Sequence, residues 1–292
     1  YLGYSYGSFL GITYAQLFPK NVGRLVLDGI LDGSYSFGQV SLAQAQGFEE
    51  AFGNFASWCA REGKNCPWNT KEAGLKRLKD FFKAADVSPI PTKDSARPLN
   101  GALAFGAAIG MLYYETLYPS LLEGLQAAFK GDGAPLLKVS DLFNERGSDG
   151  KFKDNSQDAF IAINGADYPV QGDKKEWDQR GKKILRDFPI MGSSMAYGEY
   201  ALAAWPWPAT AKREKVKIEG VQPILLVGNT GDPATPYAMA QSVHKQISNS
   251  RLLTWKSYSH TAYGLGSDCV QETVDKYLLG GILPDSDVTC ND

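Results

Sequence analysis

A serine flanked by glycines stands near the start of the sequence. The run Gly3-Tyr4-Ser5-Tyr6-Gly7 follows the pattern Gly-x-Ser-x-Gly, in which glycines let a strand and a helix approach closely around a tight turn. The serine hydroxyl then stands clear of the backbone, above a helix N-terminus that favours developing negative charge. The pattern predicts Ser5 as a nucleophile and the backbone N–H of Tyr6 as an oxyanion donor. Because the pattern is short, a glycine-rich turn with an incidental serine is the alternative.

A carboxylate and an imidazole are predicted at the ends of two later strands. Residues 223–229 are a continuous apolar run, typical of a parallel strand buried on both faces, and Asp232 lies in the loop that follows. Residues 251–255 indicate another strand, and His260 lies in the loop after it. Open α/β sheets place their working residues in loops at the carboxyl ends of strands. The pattern therefore predicts Asp232 as the orienting acid and His260 as the base.

Each of these two roles has one competitor. His244 is the only other histidine, and it falls inside the amphipathic helix predicted over residues 237–247, where a surface position is expected. Asp28 also closes a strand and competes with Asp232 for the acid role. Asp232 is favoured because its strand immediately precedes the strand that leads to the histidine, whereas Asp28 can be explained as a polar residue closing a strand.

The three residues occur in the order serine, aspartate, histidine. This is the chain order of α/β-hydrolases, and it differs from the orders in chymotrypsin-like and subtilisin-like enzymes. The chemistry that it predicts is acyl transfer. His260 takes the proton of Ser5, Asp232 holds the imidazole, and water hydrolyses the acyl-enzyme.

Two kinds of pattern divide the chain. Residues 1–34 and 213–292 alternate strands and helices, which predicts the core of an α/β-hydrolase. Residues 35–212 carry apolar residues at helical spacing without strand alternation, which predicts one large inserted helical cap. Only three core strands are convincing, and the strand that should lead into Ser5 has almost no residues. We therefore expect the chain to be the C-terminal part of a longer enzyme whose upstream strands complete the sheet.

Composition and charge exclude several classes of protein. The 292 residues are 43% hydrophobic, enough for a large core in one or two domains. A net charge of −2 without a long lysine–arginine cluster gives no footprint for nucleic acid. No apolar run approaches the roughly 18 residues of a membrane span. The sequence shows no metal-ligand cluster and no phosphate loop with a lysine, so neither a metal nor another cofactor is expected.

Four cysteines form two local pairs, Cys59 with Cys66 and Cys269 with Cys290. The first spacing is too wide for a Cys-x-x-Cys redox or zinc pair, and no histidine lies near it. Two disulfides between these neighbours would suit a secreted protein. Four unpaired buried thiols in a cytosolic enzyme are the alternative.

Four motifs carry a family resemblance. They are the Ser5 turn, the acid loop Gly231-Asp232-Pro233-Ala234-Thr235-Pro236, the sequence Ser259-His260-Thr261 and the tail Leu279-Gly280-Gly281-Ile282-Leu283-Pro284. Together they resemble the tripeptidyl aminopeptidase branch of α/β-hydrolases, which is similar to the prolyl aminopeptidases. The resemblance implies a secreted serine exopeptidase with a helical cap, which releases short peptides or single residues from peptide substrates with a free N-terminus.

An aminopeptidase must hold the protonated α-amino group of its substrate, and burying that charge unpaired is costly. We therefore expect the cap to aim a carboxylate at Ser5. Glu199 is the first candidate and Glu115 the second. For either residue, a solvated carboxylate on a helix face is the alternative.

Two other functions stay open. The same three catalytic residues would serve an esterase or another small-acyl hydrolase, because they do not select the leaving group. A catalytically inactive binding module is the other possibility.

Overall fold

The fold is built on a parallel sheet. A computed structural model describes residues 1–62, 65–207 and 209–292. Its strands are β1 (Leu2–Tyr4), β2 (Leu25–Asp28), β3 (Ile224–Asn229), β4 (Ser250–Trp255) and β5 (Val288–Cys290). They lie in the order β1-β2-β3-β4-β5, each parallel to its neighbours. Every strand therefore directs its carboxyl end toward the same edge of the sheet.

Helices cover both faces of the sheet. In the described ranges they are α1 (Tyr6–Leu17), α2 (Phe37–Glu62), α3 (Lys71–Val87), α4 (Gly101–Leu112), α5 (Tyr118–Phe129), α6 (Ala134–Phe143), α7 (Ser156–Asp167), α8 (Lys174–Asp187), α9 (Gly192–Met195), α10 (Gly198–Ala203), α11 (Tyr237–Gln246) and α12 (Asp268–Gly280). On one face, Ile12 of α1 and Val243 of α11 belong to the same buried cluster as Leu226 of β3. On the other face, Val270 of α12 packs in a cluster with Leu225. Because both faces are covered, β2 and β3 are buried along their whole length, which explains their continuous apolar sequences.

The alternation of parallel strands and helices confirms the predicted α/β class. The three strands that the sequence indicates are present as β2, β3 and β4. The strand before Ser5 exists as β1, but it has only three residues. The sequence pattern does not predict β5, because Val288-Thr289-Cys290 is short and partly polar; the strand pairs with the end of β4.

The segment between β2 and β3 folds as helices α2 to α10, where the sequence predicts a cap. These helices share a buried core of their own, in which Phe52, Phe55 and Tyr118 are among the largest fully buried side chains. The helices α6, α9 and α10 are not evident from the sequence; α9 and α10, with four and six residues, are too brief to show helical periodicity.

The limits of the cap are not fixed by the helices alone. Gly63, Lys64 and Pro208 of the predicted cap lie outside the described residues. The division into a core of residues 1–34 and 213–292 and a cap of residues 35–212 stays a prediction.

Two disulfides fasten the chain. Cys59–Cys66 joins α2 to the chain seven residues later, and Cys269–Cys290 joins α12 to β5. These are the two pairs expected from the sequence. Within the described ranges, none of the helices combines the length and the apolar character needed to cross a membrane.

Candidate active site

β1 and α1 meet in a tight turn at Ser5. Ser5 has φ 52° and ψ −117°, a backbone conformation that is costly for a residue with a Cβ atom. Its N–H donates to the Asp28 carbonyl oxygen at 2.8 Å, and its own carbonyl accepts from the Ser8 N–H at 2.8 Å and the Ser8 hydroxyl at 2.6 Å. A Cβ atom on Gly3 would lie 2.5 Å from the Gly7 carbonyl oxygen. The close approach of strand and helix therefore requires glycine at position 3.

Tyr6 is the first residue of α1. Its N–H has no intrahelical carbonyl to donate to, as in the first turn of any helix, and it is the group that the sequence predicts as an oxyanion donor. The Tyr6 hydroxyl donates to Asp167 Oδ2 at 2.7 Å. Burial, reinforced by this bond to a carboxylate, raises the pKa of Tyr6, so the phenol stays protonated.

Asp232 and His260 form a buried pair. They are 3% and 5% exposed, and His260 Nδ1 lies 2.9 Å from both carboxylate oxygens. Asp232 also accepts from the N–H groups of Ala234 at 2.9 Å and Thr235 at 2.8 Å. Because Nδ1 of His260 faces two acceptor oxygens, the tautomer that fits this pair carries its proton on Nδ1 and leaves Nε2 as the proton acceptor.

Thr235 has a different place from the one that its sequence suggests. The order Thr235-Pro236 predicts an N-cap followed by the first residue of α11, but the N-cap position is Pro236. The Thr235 hydroxyl instead donates to Asp232 Oδ2 at 3.0 Å and lies 3.3 Å from His260 Nδ1. The spacing of Asp232 and Thr235, three residues apart, is the local signal for this turn.

The loop that carries His260 is held from two sides; we call residues 256–263 the histidine loop. The buried Asn229 amide donates to the carbonyl oxygens of Ser259, at 2.7 Å, and Thr261. The His260 N–H donates to the Tyr113 carbonyl at 2.7 Å, and the two rings meet edge to face with centroids 5.3 Å apart. Sequence patterns do not identify Asn229 or Tyr113 as part of the site, because both reach it through tertiary contacts.

Ser5 and His260 both lie close to the turn that ends β2. The Ser5 N–H bonds to Asp28, and a Cβ atom on the next residue, Gly29, would lie 3.2 Å from His260 Cε1. Among the residues that the structure describes, no hydrogen bond joins the Ser5 hydroxyl to the imidazole. Such bonds are often long in ligand-free enzymes and shorten when substrate binds.

The two competing residues have other partners. The Asp28 carboxylate accepts from the N–H groups of Ala262 and Tyr263 rather than from His260. His244 lies in α11, where its ring nitrogens bond to Ser250 and Asp287 at 2.8 and 3.1 Å. Neither residue occupies the position between strand end and imidazole that Asp232 holds.

The two predicted amine-binding carboxylates have different surroundings. Glu199, in α10, is buried and forms an ion pair with Arg180 of α8. Glu115 is exposed and lies against the histidine loop. Its Oε2 accepts from the Tyr258 N–H at 3.1 Å, and its own N–H donates to Ser259 Oγ at 3.3 Å. Of the two, Glu115 is the one in contact with the histidine loop.

Sequence comparisons relate this arrangement to known proteins. Residues 188–290 match a family model described as TAP-like protein. The chain is 34% identical over 303 residues to a Mycobacterium tuberculosis protein named serine protease Hip1, covering 99% of this chain and 57% of the relative. It is 33% identical over 284 residues to carboxylesterase B of the same species, covering 94% and 53%.

A third relative comes from another genus. The chain is 27% identical over 299 residues to the tripeptidyl aminopeptidase of Streptomyces lividans, covering 99% of this chain and 54% of the relative. The chain thus spans a little more than half the length of each of these three proteins. The family match, the relatives and the fold support a TAP-like α/β-hydrolase.

Proposed function

We propose that the chain carries the catalytic centre of a serine hydrolase, with Ser5 as nucleophile, His260 as general base and Asp232 as the orienting acid. The observation that carries the proposal is the buried Asp232–His260 pair, in which Nδ1 lies 2.9 Å from both carboxylate oxygens. Asp28 links this pair to the strained turn at Ser5, because it bonds both to the Ser5 N–H and to the loop that carries His260. The names of the relatives, which include a serine protease, a carboxylesterase and an aminopeptidase, support cleavage of an acyl bond.

The mechanism is a two-step acyl transfer. His260 Nε2 accepts the hydroxyl proton while Ser5 Oγ attacks the substrate carbonyl, and the Tyr6 N–H donates to the oxyanion at the positive end of α1. The proton then passes from His260 to the leaving group as its bond to the acyl carbon breaks. Water, deprotonated by His260, hydrolyses the acyl-enzyme and regenerates the Ser5 hydroxyl. Asp232 stabilises the imidazolium in both steps.

A fluorophosphonate probe tests this proposal directly. We expect covalent modification of Ser5 in the naturally expressed protein, and none in the Ser5→Ala variant. Ser88→Ala, at an exposed serine after α3, is the matched control and should be modified like the wild type. A folded wild-type protein that resists the probe would contradict the proposal and leave a binding module as the remaining function.

We propose peptides with a free N-terminus as the substrates. The support is the resemblance to tripeptidyl aminopeptidases and the name of the Streptomyces relative. An ester substrate is the second candidate, favoured by the name of the carboxylesterase relative. Three substrates separate the two: a tripeptidyl anilide, its N-acetylated form and a simple aryl ester. An aminopeptidase should cleave the first with the highest kcat/KM and lose most of its activity on the second.

Glu115 is the better placed of the two residues proposed to hold the α-amino group. The Glu199 charge is already neutralised by Arg180, whereas Glu115 lies beside the histidine loop with an exposed carboxylate. Glu115→Gln should therefore raise KM for the free-amino substrate and leave KM for the N-acetylated substrate unchanged. Glu199→Gln provides the comparison. Equal KM values for Glu115→Gln and wild type on both substrates would remove Glu115 from the site.

We also propose that the protein is exported. Two disulfides persist best in an oxidising compartment, and both cysteine pairs are bonded. Peptide mapping of the native protein without reductant should recover Cys59–Cys66 and Cys269–Cys290. Free thiols at these positions would contradict the proposed location.

A further inference from the structure

Asp28 is a buried carboxylate that the mechanism above leaves without a role. It ends β2 and is 0% exposed. Its main-chain carbonyl accepts the Ser5 N–H at 2.8 Å. Its carboxylate accepts the Ala262 N–H at 3.0 Å on each oxygen and the Tyr263 N–H at 2.8 Å. One residue is therefore bonded both to the nucleophile turn and to the histidine loop.

Gly29 extends the same junction. It has φ 67°, and a Cβ atom at this position would lie 3.0 Å from Thr261 Cγ2, 3.2 Å from His260 Cε1 and 3.2 Å from Thr235 Oγ1. The backbone after Asp28 thus packs directly against the imidazole and against the threonine that bonds to Asp232. A side chain at position 29 would push these groups apart.

The histidine loop contains a strained residue that hydrogen bonds to the loop must hold in place. Thr261, which follows His260, has φ 65°, and a β-branched residue in the left-handed region is strained. Asp28 fixes the next two N–H groups, while the Asn229 amide fixes the carbonyls of Ser259 and Thr261. Without these bonds the loop would relax toward an ordinary conformation and carry the imidazole with it.

We propose that Asp28 is a positioning residue that fixes the histidine loop, and with it His260, relative to Ser5. The inference rests on the proposed serine hydrolase mechanism. A carboxylate suits the task because both of its oxygens only accept hydrogen bonds when it is ionised. An asparagine would turn an NH₂ group toward one of the two backbone N–H groups and lose that bond.

Asp28 lies among other titratable groups. Asp232 and His260 face Asp28 from the loops after β3 and β4, and Tyr4 faces it from β1. Burial, partly offset by the two backbone N–H groups and reinforced by the charge of Asp232, raises the pKa of Asp28 to about 6. At neutral pH the carboxylate is therefore ionised, the form in which both of its oxygens accept the backbone N–H groups of the histidine loop.

The test compares Asp28→Asn with Asp32→Asn, each introduced into the protein in the form in which its own cells express it. Asp32 is also buried, but its carboxylate bonds to Ser34 and Gln246, so this substitution controls for the general cost of removing a buried charge. The readout is the rate of Ser5 labelling by a fluorophosphonate as a function of pH, with melting measured in parallel. For Asp28→Asn we expect labelling about 10–100-fold slower at neutral pH, the scale of a small misplacement of catalytic groups.

The pH profile separates positioning from mere destabilisation. Removing the Asp28 carboxylate should shift the midpoint of the acid limb, because Asp28 itself titrates near pH 6 in the wild type. Asp32→Asn should leave the rate and the midpoint unchanged. If Asp28→Asn does not fold, Gly29→Ala supplies the second variant, because its Cβ atom would displace the imidazole without altering any charge; it too should be labelled more slowly.

The possible failures are distinguishable. A wild-type protein that is not labelled at Ser5 overturns the proposed function and this inference with it. A labelled wild type together with a folded Asp28→Asn variant of equal rate and equal midpoint overturns the inference alone. A folded Gly29→Ala variant labelled at the wild-type rate would do the same.

Discussion

The carboxyl edge of the sheet has two halves that are built differently. In the acid–base half, after β3 and β4, Asp232 and His260 are buried in a network of side-chain bonds that includes Asn229 and Thr235. In the nucleophile half, after β1, Ser5 lies in a strained turn, and main-chain hydrogen bonds to neighbouring residues hold most of that turn in place. Among the described strands, β1 pairs only with β2.

The difference shows two ways of fixing a reactive side chain. A buried polar network is rigid when every member is bonded, and it loses much when one member is removed. A strained turn depends instead on the packing of strand against helix, because local strain persists only where the surroundings enforce it. Predictions about the two halves therefore differ in kind and in size.

The largest expected effect tests whether the two halves work as one site. Ser5→Ala and His260→Ala should each lower kcat by roughly 10³–10⁶-fold, because the members of a triad act as a unit. The double variant should be little worse than either single one. Steady-state kinetics on the tripeptidyl anilide measures both. A double variant whose loss equals the product of the single losses would show that the halves act independently.

The acid assignment has its own test within this comparison. Asp232→Asn should reduce kcat by roughly 10⁴-fold, because the imidazole is then held in the wrong tautomer. Asp28→Asn should cost much less, because Asp28 does not bond to the ring. Folded variants in which Asp28→Asn is as damaging as Asp232→Asn would reverse the two assignments.

Replacing Asn229 tests how much the stability of the acid–base half depends on its hydrogen-bond network. Asn229→Ala would leave the buried carbonyls of Ser259 and Thr261 without their side-chain donor, and the free energy of unfolding should fall by about 2–4 kcal/mol. Ser8→Ala is the matched change in the nucleophile half, where one hydroxyl bonds to the Ser5 carbonyl; it should cost about 1–2 kcal/mol. Urea unfolding measures both, and a larger loss for Ser8→Ala would contradict the contrast.

The pH dependence of stability examines the junction between the halves. The pKa of Asp28 is raised from 3.8 to about 6 by burial, so the native state binds this proton more tightly than the unfolded chain does. Its contribution to stability is therefore full below about pH 4 and is lost as pH rises through about 6. Between pH 4 and 7 the free energy of unfolding should fall by about 1–3 kcal/mol in wild type relative to Asp28→Asn. Parallel curves for the two proteins would contradict the raised pKa.

How much of this site a sequence can reveal depends on the range of the interactions. Ser5, Asp232 and His260 are visible because each follows a strand, and strand, loop and chain order are local patterns. Asn229 and Tyr113 reach the histidine loop only through tertiary packing, so no spacing marks them. Thr235 is an intermediate case. Its turn with Asp232 is a local pattern, but the order Thr235-Pro236 is also a local pattern and predicts a helix N-cap instead.

The same reasoning applies to the fold. β2 and β3 are evident because burial on both faces demands an unbroken apolar run. β1 and β5 have three residues each, too few for a pattern, and they exist because a neighbouring strand offers hydrogen-bonding partners. The division between α/β segments and helical segment is visible because it concerns long stretches of chain rather than single contacts.

The smallest expected change in stability concerns the outer face of the nucleophile half. Leu10 and Tyr14 of α1 are 48% and 45% exposed, beside a strand that has a partner on one side among the described strands. Exposed apolar surface next to an open strand edge favours association. We therefore expect residues 1–292, produced alone, to self-associate through this face. Replacing Leu10 and Tyr14 by glutamine should reduce that association while changing the free energy of unfolding by no more than about 0.5 kcal/mol each, as for most surface positions.

A second apolar pair provides the control for this prediction. Phe160 and Ile161 of α7 are 68% and 55% exposed, but they lie in the helical segment between β2 and β3. If association comes from the face beside β1, glutamine at these two positions should leave the sedimentation coefficient distribution unchanged, whereas the α1 variant should shift it toward monomer. If both variants shift the sedimentation coefficient distribution equally, exposed apolar surface in general causes the association, and the open strand edge does not. A wild-type chain that sediments as a monomer at all concentrations would mean that β1 and α1 are stable with this face in water.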